Sequence, residues 1–138
     1  VRNIFQRLAA IALSAVAATT LVVLTGSVVA SEISDAMVAE FQVGIEPAFT
    51  AQQGRDLWHN KTAEGRSCTS CHGDSLKRIG RHEKTAKLIE PMAPSVNSER
   101  LTSRKKINKW LLRNCKWTYR RECTAAEKGP ILLWLSQQ

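Results

Sequence analysis

The chain is poor in side chains that hold metals. Its 138 residues contain three histidines, two methionines and four cysteines, and acidic residues number only 12 against 20 lysines and arginines. There is no second C-x-x-C. Cys115 and Cys123 are too far apart to form one, which argues against a zinc site built from two such pairs. No βαβ pattern surrounds the cysteines, so the setting of a thioredoxin-type dithiol is missing. No repeat, low-complexity tract or convincing strand is found, and no DNA-binding motif accompanies the positive charge. The basic balance therefore points to an acidic redox partner or an anionic membrane face rather than nucleic acid.

What is present is one compact motif, Cys68-Thr69-Ser70-Cys71-His72. C-x-x-C-H is the attachment signature for c-type haem. Thiols at that spacing reach the two vinyl groups of one haem, and the adjacent imidazole serves as proximal ligand. Cys68, Cys71 and His72 are thus the expected attachment residues.

Residues 1–30 are a different kind of sequence. Arg2 and Arg7 precede an uncharged run from Leu8 to Val29, which ends in small residues before Ser31. This is the pattern of a secretory signal peptide, with an uncleaved anchor as the alternative. The haem domain is then residues 31–138, exported to an oxidising compartment such as a bacterial periplasm. The formal charge is +8. Arg2 and Arg7 account for two of these, leaving +6 on residues 31–138, and two ionised propionates lower it further.

The remaining chain reads as all-α. Ser31–Val43 is expected to be a helix with Ile33, Met37, Val38 and Phe41 on one face, stopped by Gly44. Pro47 opens a second helix to about His59. Gly54-Arg55-Asp56-Leu57-Trp58 within it resembles a pattern of class I cytochromes c, in which a small residue lets the N-terminal helix cross tightly against the C-terminal one. Gly73–Leu88 is a basic loop whose cations Lys77, Arg78, Arg81, Lys84 and Lys87 are available to haem propionates. Pro91-Met92-Ala93-Pro94 is extended. A helix over Arg104–Arg113 follows, with Ile107, Trp110 and Leu111 apolar. Thr124 and Glu127 form a capping box for a last helix ending near Ser136.

Cys115 and Cys123 remain after haem attachment. In an oxidising compartment such a pair is expected to form a disulfide between the last two helices, and a staple there would also fix Asn114. The sixth ligand is open on the residues alone. Met37 suits a core position. Met92 is a candidate, but it precedes the Arg104–Arg113 helix, where a ligand loop would normally follow it. His59, His82 and Lys116 are further donors.

Several stretches together resemble the sphaeroides haem protein family of oxygen-binding, class I-like cytochromes c. They are Gly54-Arg55-Asp56-Leu57-Trp58, Cys68–Gly73, Pro91–Ser95, Lys109–Cys115, Arg121–Thr124, Glu127-Lys128 and Leu133–Leu135. The resemblance implies a class I cytochrome c-like fold around one covalent haem c. It implies Asn114 as ferric axial ligand, released on reduction so that ferrous iron takes O2, NO or CO. It implies a Cys115–Cys123 disulfide near the haem, and a dihaem cytochrome c and a membrane cytochrome b as redox partners. The chain departs from the expected pattern at Met92, where a leucine-like residue is usual, so a His72/Met92 electron carrier is the alternative. Oxygen reduction or nitric oxide dioxygenation would require a reductase that this sequence does not contain. A module that merely folds around haem is the third reading.

Overall fold

A computed structural model describes residues 25–138, with side chains from Glu32 onward. The expected targeting segment falls largely outside the described residues. Five helices and one short ribbon follow in the order α1 (Thr25–Gln42), α2 (Ala51–His59), α3 (Thr69–His72), β1 (Gly80–Arg81), β2 (Leu88–Ile89), α4 (Arg104–Tyr119) and α5 (Ala125–Ser136). Among the described residues no helix is long and apolar enough to cross a membrane.

The frame is a crossing of α2 and α5. A Cβ on Gly54 would run into the Pro130 carbonyl and lie 2.7 Å from Trp134 Cβ. Only a residue without a side chain lets the helices approach so closely. Phe49 fills the corresponding gap over Gly129, where an added Cβ would strike its ring. Trp58, Leu76, Ala93, Ile131, Trp134 and Leu135 form one apolar cluster. Met37, Ile107 and Leu132 form a second, where α1 lies against α5 and α4. Met37 is only 1 % exposed, which places it as core packing.

Three boundaries and one added element differ from the sequence expectations. α1 begins at Thr25, before the expected Ser31. α2 begins at Ala51 rather than Pro47, because Thr50 and Gln53 form a reciprocal capping box there. α4 does not end at Arg113. It continues through Asn114 and Cys115 to Tyr119 and stops at Arg120, whose φ of 59° is left-handed. The basic stretch after the motif contains a two-stranded antiparallel ribbon, Gly80 opposite Ile89 and Arg81 opposite Leu88. Gly80 is pressed on the motif itself, since a Cβ there would meet the Cys71 carbonyl at 2.5 Å. The α5 expectation agrees with the structure, with the Thr124–Glu127 capping box at its start and Ser136 at its end.

Candidate functional site

A cavity of about 690 Å³ is bounded by the C-x-x-C-H turn, the proline-flanked loop and α4. Its size lies within the usual range for cofactor pockets, ~300–1,000 Å³. One wall is α3 and what supports it. The Ser67 amide donates to Ser70 Oγ at 3.1 Å, and Ser67 Oγ lies 2.6 Å from Thr69 Oγ1, closing the turn that presents Cys68 and Cys71. Both cysteines are free thiols. Burial, with a smaller contribution from Cys71, pushes the Cys68 thiol up to about 12. The thiol is therefore held protonated at neutral pH. The His72 ring stands 5.1 Å from the Trp58 ring, which in turn lies 5.6 Å from Trp134. Burial first, and the Arg100 charge second, pull the His72 pKa down to about 4. Its imidazole is therefore neutral and has a lone pair to give.

Arg100 is a site residue that sequence reading missed. Its Nε donates to the Pro91 carbonyl at 2.8 Å and its Nη2 to the Glu90 carbonyl at 2.6 Å. Asn97 Nδ2 adds a third bond, to Pro91, at 3.1 Å. These bonds fasten the proline loop along the cavity. A lone arginine in a polar stretch carries no pattern that could have announced this. Of the cations expected near propionates between Gly73 and Leu88, only Lys87 lines the cavity; Arg100, Lys106 and Arg113 line it from elsewhere.

The opposing wall is one face of α4. Ile107, Trp110, Leu111, Asn114, Trp117 and Thr118 recur at helical spacing, and all line the cavity. Asn114 thus faces the same space as His72. Cys115 and Cys123 are joined, with Cα atoms 5.5 Å apart, so α4 is tied to the start of α5 one residue past Asn114. The Tyr119 hydroxyl donates to the Leu57 carbonyl at 3.0 Å. That bond ties the end of α4 to α2.

The other candidate ligands are placed as follows. Met92 lines the cavity and packs with the cluster of Trp58 and Leu76; its amide and that of Ala93 donate to the Leu76 carbonyl at 2.8 and 3.0 Å. His82 also lines it, but its Nδ1 faces the amides of Lys84 and Thr85 at 3.3 and 3.2 Å. An Nδ1 that accepts leaves the proton on Nε2 of the neutral ring, so neither nitrogen offers a free lone pair. His59 turns its Nδ1 to the Arg55 carbonyl at 2.8 Å, and the half-exposed Lys116 pairs with Glu122 at 3.1 Å. Neither lines the cavity.

Three buried side-chain polar atoms among the described residues lack any partner: Trp58 Nε1, His72 Nδ1 and Trp117 Nε1. All three residues line this cavity. Each of these atoms is itself closed to the cavity, so the fit of an occupant rests on the groups that do line it. Two free thiols, a neutral imidazole and largely apolar walls fit a covalently attached haem. No group of three or more His, Cys, Asp or Glu side chains is gathered for a metal ion among the described residues.

A family model described as a domain of unknown function (DUF1924) matches residues 45–135. The chain is 36% identical over 121 residues to the cytochrome c-type protein SHP of Cereibacter sphaeroides, covering 84% of this chain and 93% of that one. The solved structure of oxidized SHP, an oxygen-binding cytochrome c, superposes with a TM-score of 0.69 at 34% identity, over 76% of this chain and 96% of that one. Oxidized cytochrome c″ from Methylophilus methylotrophus shares the fold, with a TM-score of 0.66 at 23% identity, over 79% and 94% of the two chains.

Proposed function

We propose that this chain, which belongs to the DUF1924 family and to the SHP-type cytochromes c, carries one haem c and takes up a diatomic gas, oxygen or nitric oxide, when reduced. It exchanges electrons with other cytochromes. The haem supplies a redox-active iron with one coordination position left to a weak or exchangeable ligand. Cys68 and Cys71 would hold it through two thioethers, and the neutral imidazole of His72 would be its firm ligand.

Asn114 would supply the weak, exchangeable ligand. A carboxamide oxygen is a hard, weak donor that suits Fe(III) and holds Fe(II) poorly. Reduction would therefore weaken its hold and leave room for a gas. The observation that carries this reading is the position of Asn114 on the cavity face of α4. Met92 is the rival; it packs with the cluster of Trp58 and Leu76 and lines the same cavity.

The electron donors we assign are a dihaem cytochrome c and a membrane cytochrome b, in the periplasm. The Arg104–Tyr119 helix contains six lysines and arginines and no acidic residue, which suits an acidic redox partner. Absorption spectra of both oxidation states, with and without CO, test the reading. A high-spin ferrous spectrum with rapid CO uptake is expected. A low-spin ferrous protein that refuses CO would return the chain to the His72/Met92 carriers.

A further inference from the structure

The last turn of α4 comes close to the segment that leads into the motif, and one side chain spans the gap. Arg66 stands two residues before Cys68, and Trp117 three residues after Asn114. Arg66 Nη1 donates to the Trp117 carbonyl at 3.3 Å. Its guanidinium carbon stands 4.7 Å from the centroid of the Trp117 ring. A single side chain thus holds both the backbone and the indole of one residue.

Both ends of this tie are anchored. The Arg66 carbonyl accepts from the Thr62 amide at 2.8 Å, and the Arg66 amide donates to Thr62 Oγ1 at 3.3 Å. Ser67, next in the chain, is 1 % exposed and closes the motif turn through Ser70. At the other end, an α-helix leaves its last four carbonyls without a partner. Trp117 carries one of these, since α4 ends at Tyr119. A cation suits that end of a helix, where the dipole is negative. Two further ties hold the same turn: the disulfide to the start of α5, and the Tyr119 hydroxyl on the Leu57 carbonyl of α2. Of the three, Arg66 is the one that reaches the segment carrying the motif.

We propose that Arg66 is a positioning residue: it holds the α4 wall, and Asn114 with it, at the separation from the motif wall at which the carboxamide ligates. Arg66 does not line the cavity and acts through the helix. Asn114 rides on α4, so a loosened last turn spreads the positions its carboxamide visits. A weak ligand is the first to be lost when its reach is spread, whereas His72 belongs to the motif itself. The inference rests on the reading of Asn114 given above and adds to it the residue that sets the reach.

The test uses the haem-loaded protein. Imidazole added to the ferric form must displace the carboxamide, so its apparent affinity reads how firmly Asn114 is held. Arg66→Met keeps a long stem and removes the donor and the charge; Arg66→Lys keeps the charge without the planar fork. Imidazole affinity is expected to rise about 5-fold in Arg66→Met, the change that follows from losing one net hydrogen bond. Arg66→Lys should give a smaller rise, about twofold. In an Asn114→Ala background, Arg66→Met should leave imidazole affinity unmoved, which a general loosening of the fold would not. Amide hydrogen exchange over Asn114–Tyr119 should quicken in Arg66→Met, while that over Ala51–His59 stays within about twofold. Unchanged imidazole affinity in both Arg66 variants overturns the proposal. So does an equal rise with Asn114 present and absent, or exchange that quickens equally in both helices. If Arg66→Met fails to load haem, Arg66→Lys decides the matter by the same titration. If Asn114→Ala alone leaves imidazole affinity unaltered, the reading of Asn114 fails and takes this proposal with it.

Discussion

Gly54 and Pro130 meet backbone to backbone. The position of a Gly54 Cβ is already occupied by the Pro130 carbonyl, and Trp134 Cβ lies 2.7 Å away. The contact lets Trp58, four residues on, stand against both Trp134 and His72. Helix packing and the imidazole's support are therefore one geometric problem. Gly54→Ala should destabilise the fold by about 2–3 kcal/mol, since overpacking forces backbone shifts. Denaturant midpoints of the haem-loaded protein check this. The same substitution at Gly44, where nothing lies within 4 Å but φ is +72°, should cost only the ~1 kcal/mol of backbone strain.

Asn114→Ala should change the ferric absorption spectrum to that of a water-bound or open iron. Affinity of the reduced protein for CO should move by less than about threefold, because on the proposed reading the amide would already have withdrawn in that state. Ferric spectra and CO titrations read the two effects separately. An unaltered ferric spectrum would remove Asn114 from the site.

Glu127 gives the chain an acid limit. Its carboxylate accepts from Arg121 Nη1 and Nη2, each at 2.7 Å, and from the Thr124 amide at 2.8 Å. Chiefly through the Arg121 bonds, its pKa falls to about 2 from the ordinary 4.5. The folded value lies below the unfolded one, so the contribution is full above about pH 4.5 and is lost as pH falls toward 2. Partial exposure of the pair limits it to roughly 1–2 kcal/mol. Unfolding measured between pH 6 and pH 2 should show a shallower acid dependence in Glu127→Gln than in the parent chain.

Replacing Cys115 and Cys123 together by serine should cost about 2–3 kcal/mol, as expected for a short closed loop. Thermal unfolding with and without reductant checks this, since the parent should lose a similar amount on reduction and the double variant nothing. The half-buried Tyr119, bonded to the Leu57 carbonyl at 3.0 Å, should keep the end of α4 in place in both.

Much of this site was legible in the residues. The glycine of the helix crossing, the second cysteine pair and the Thr124–Glu127 box each carry a local rule, and each holds in the structure; the C-x-x-C-H spacing pointed to the turn that borders the cavity. What escaped was decided by contacts distant in sequence. Asn114 to Tyr119 contains weak helix formers and reads as a loop, yet buried Cys115 and Thr118 and the disulfide hold it helical. The ribbon has two residues per strand, too few for alternation to register. Thr50 and Gln53 did offer a visible capping box, which Pro47 overshadowed. Arg100 becomes visible as a site residue only once the chain is folded around one cavity.

The uninterrupted course of α4 past Asn114 has a last consequence. A ligand borne on a flap departs by lifting the flap, and solvent and neighbouring strands move with it. Asn114 has no flap, because its peptide groups belong to a helix anchored on both sides. On the proposed reading its carboxamide would retreat by pivoting about its own two side-chain bonds. Such swings are intrinsically quick, ~ps–ns where space permits. Arrival of the electron, rather than any reshaping of the scaffold, would then set the tempo at which the doorway opens.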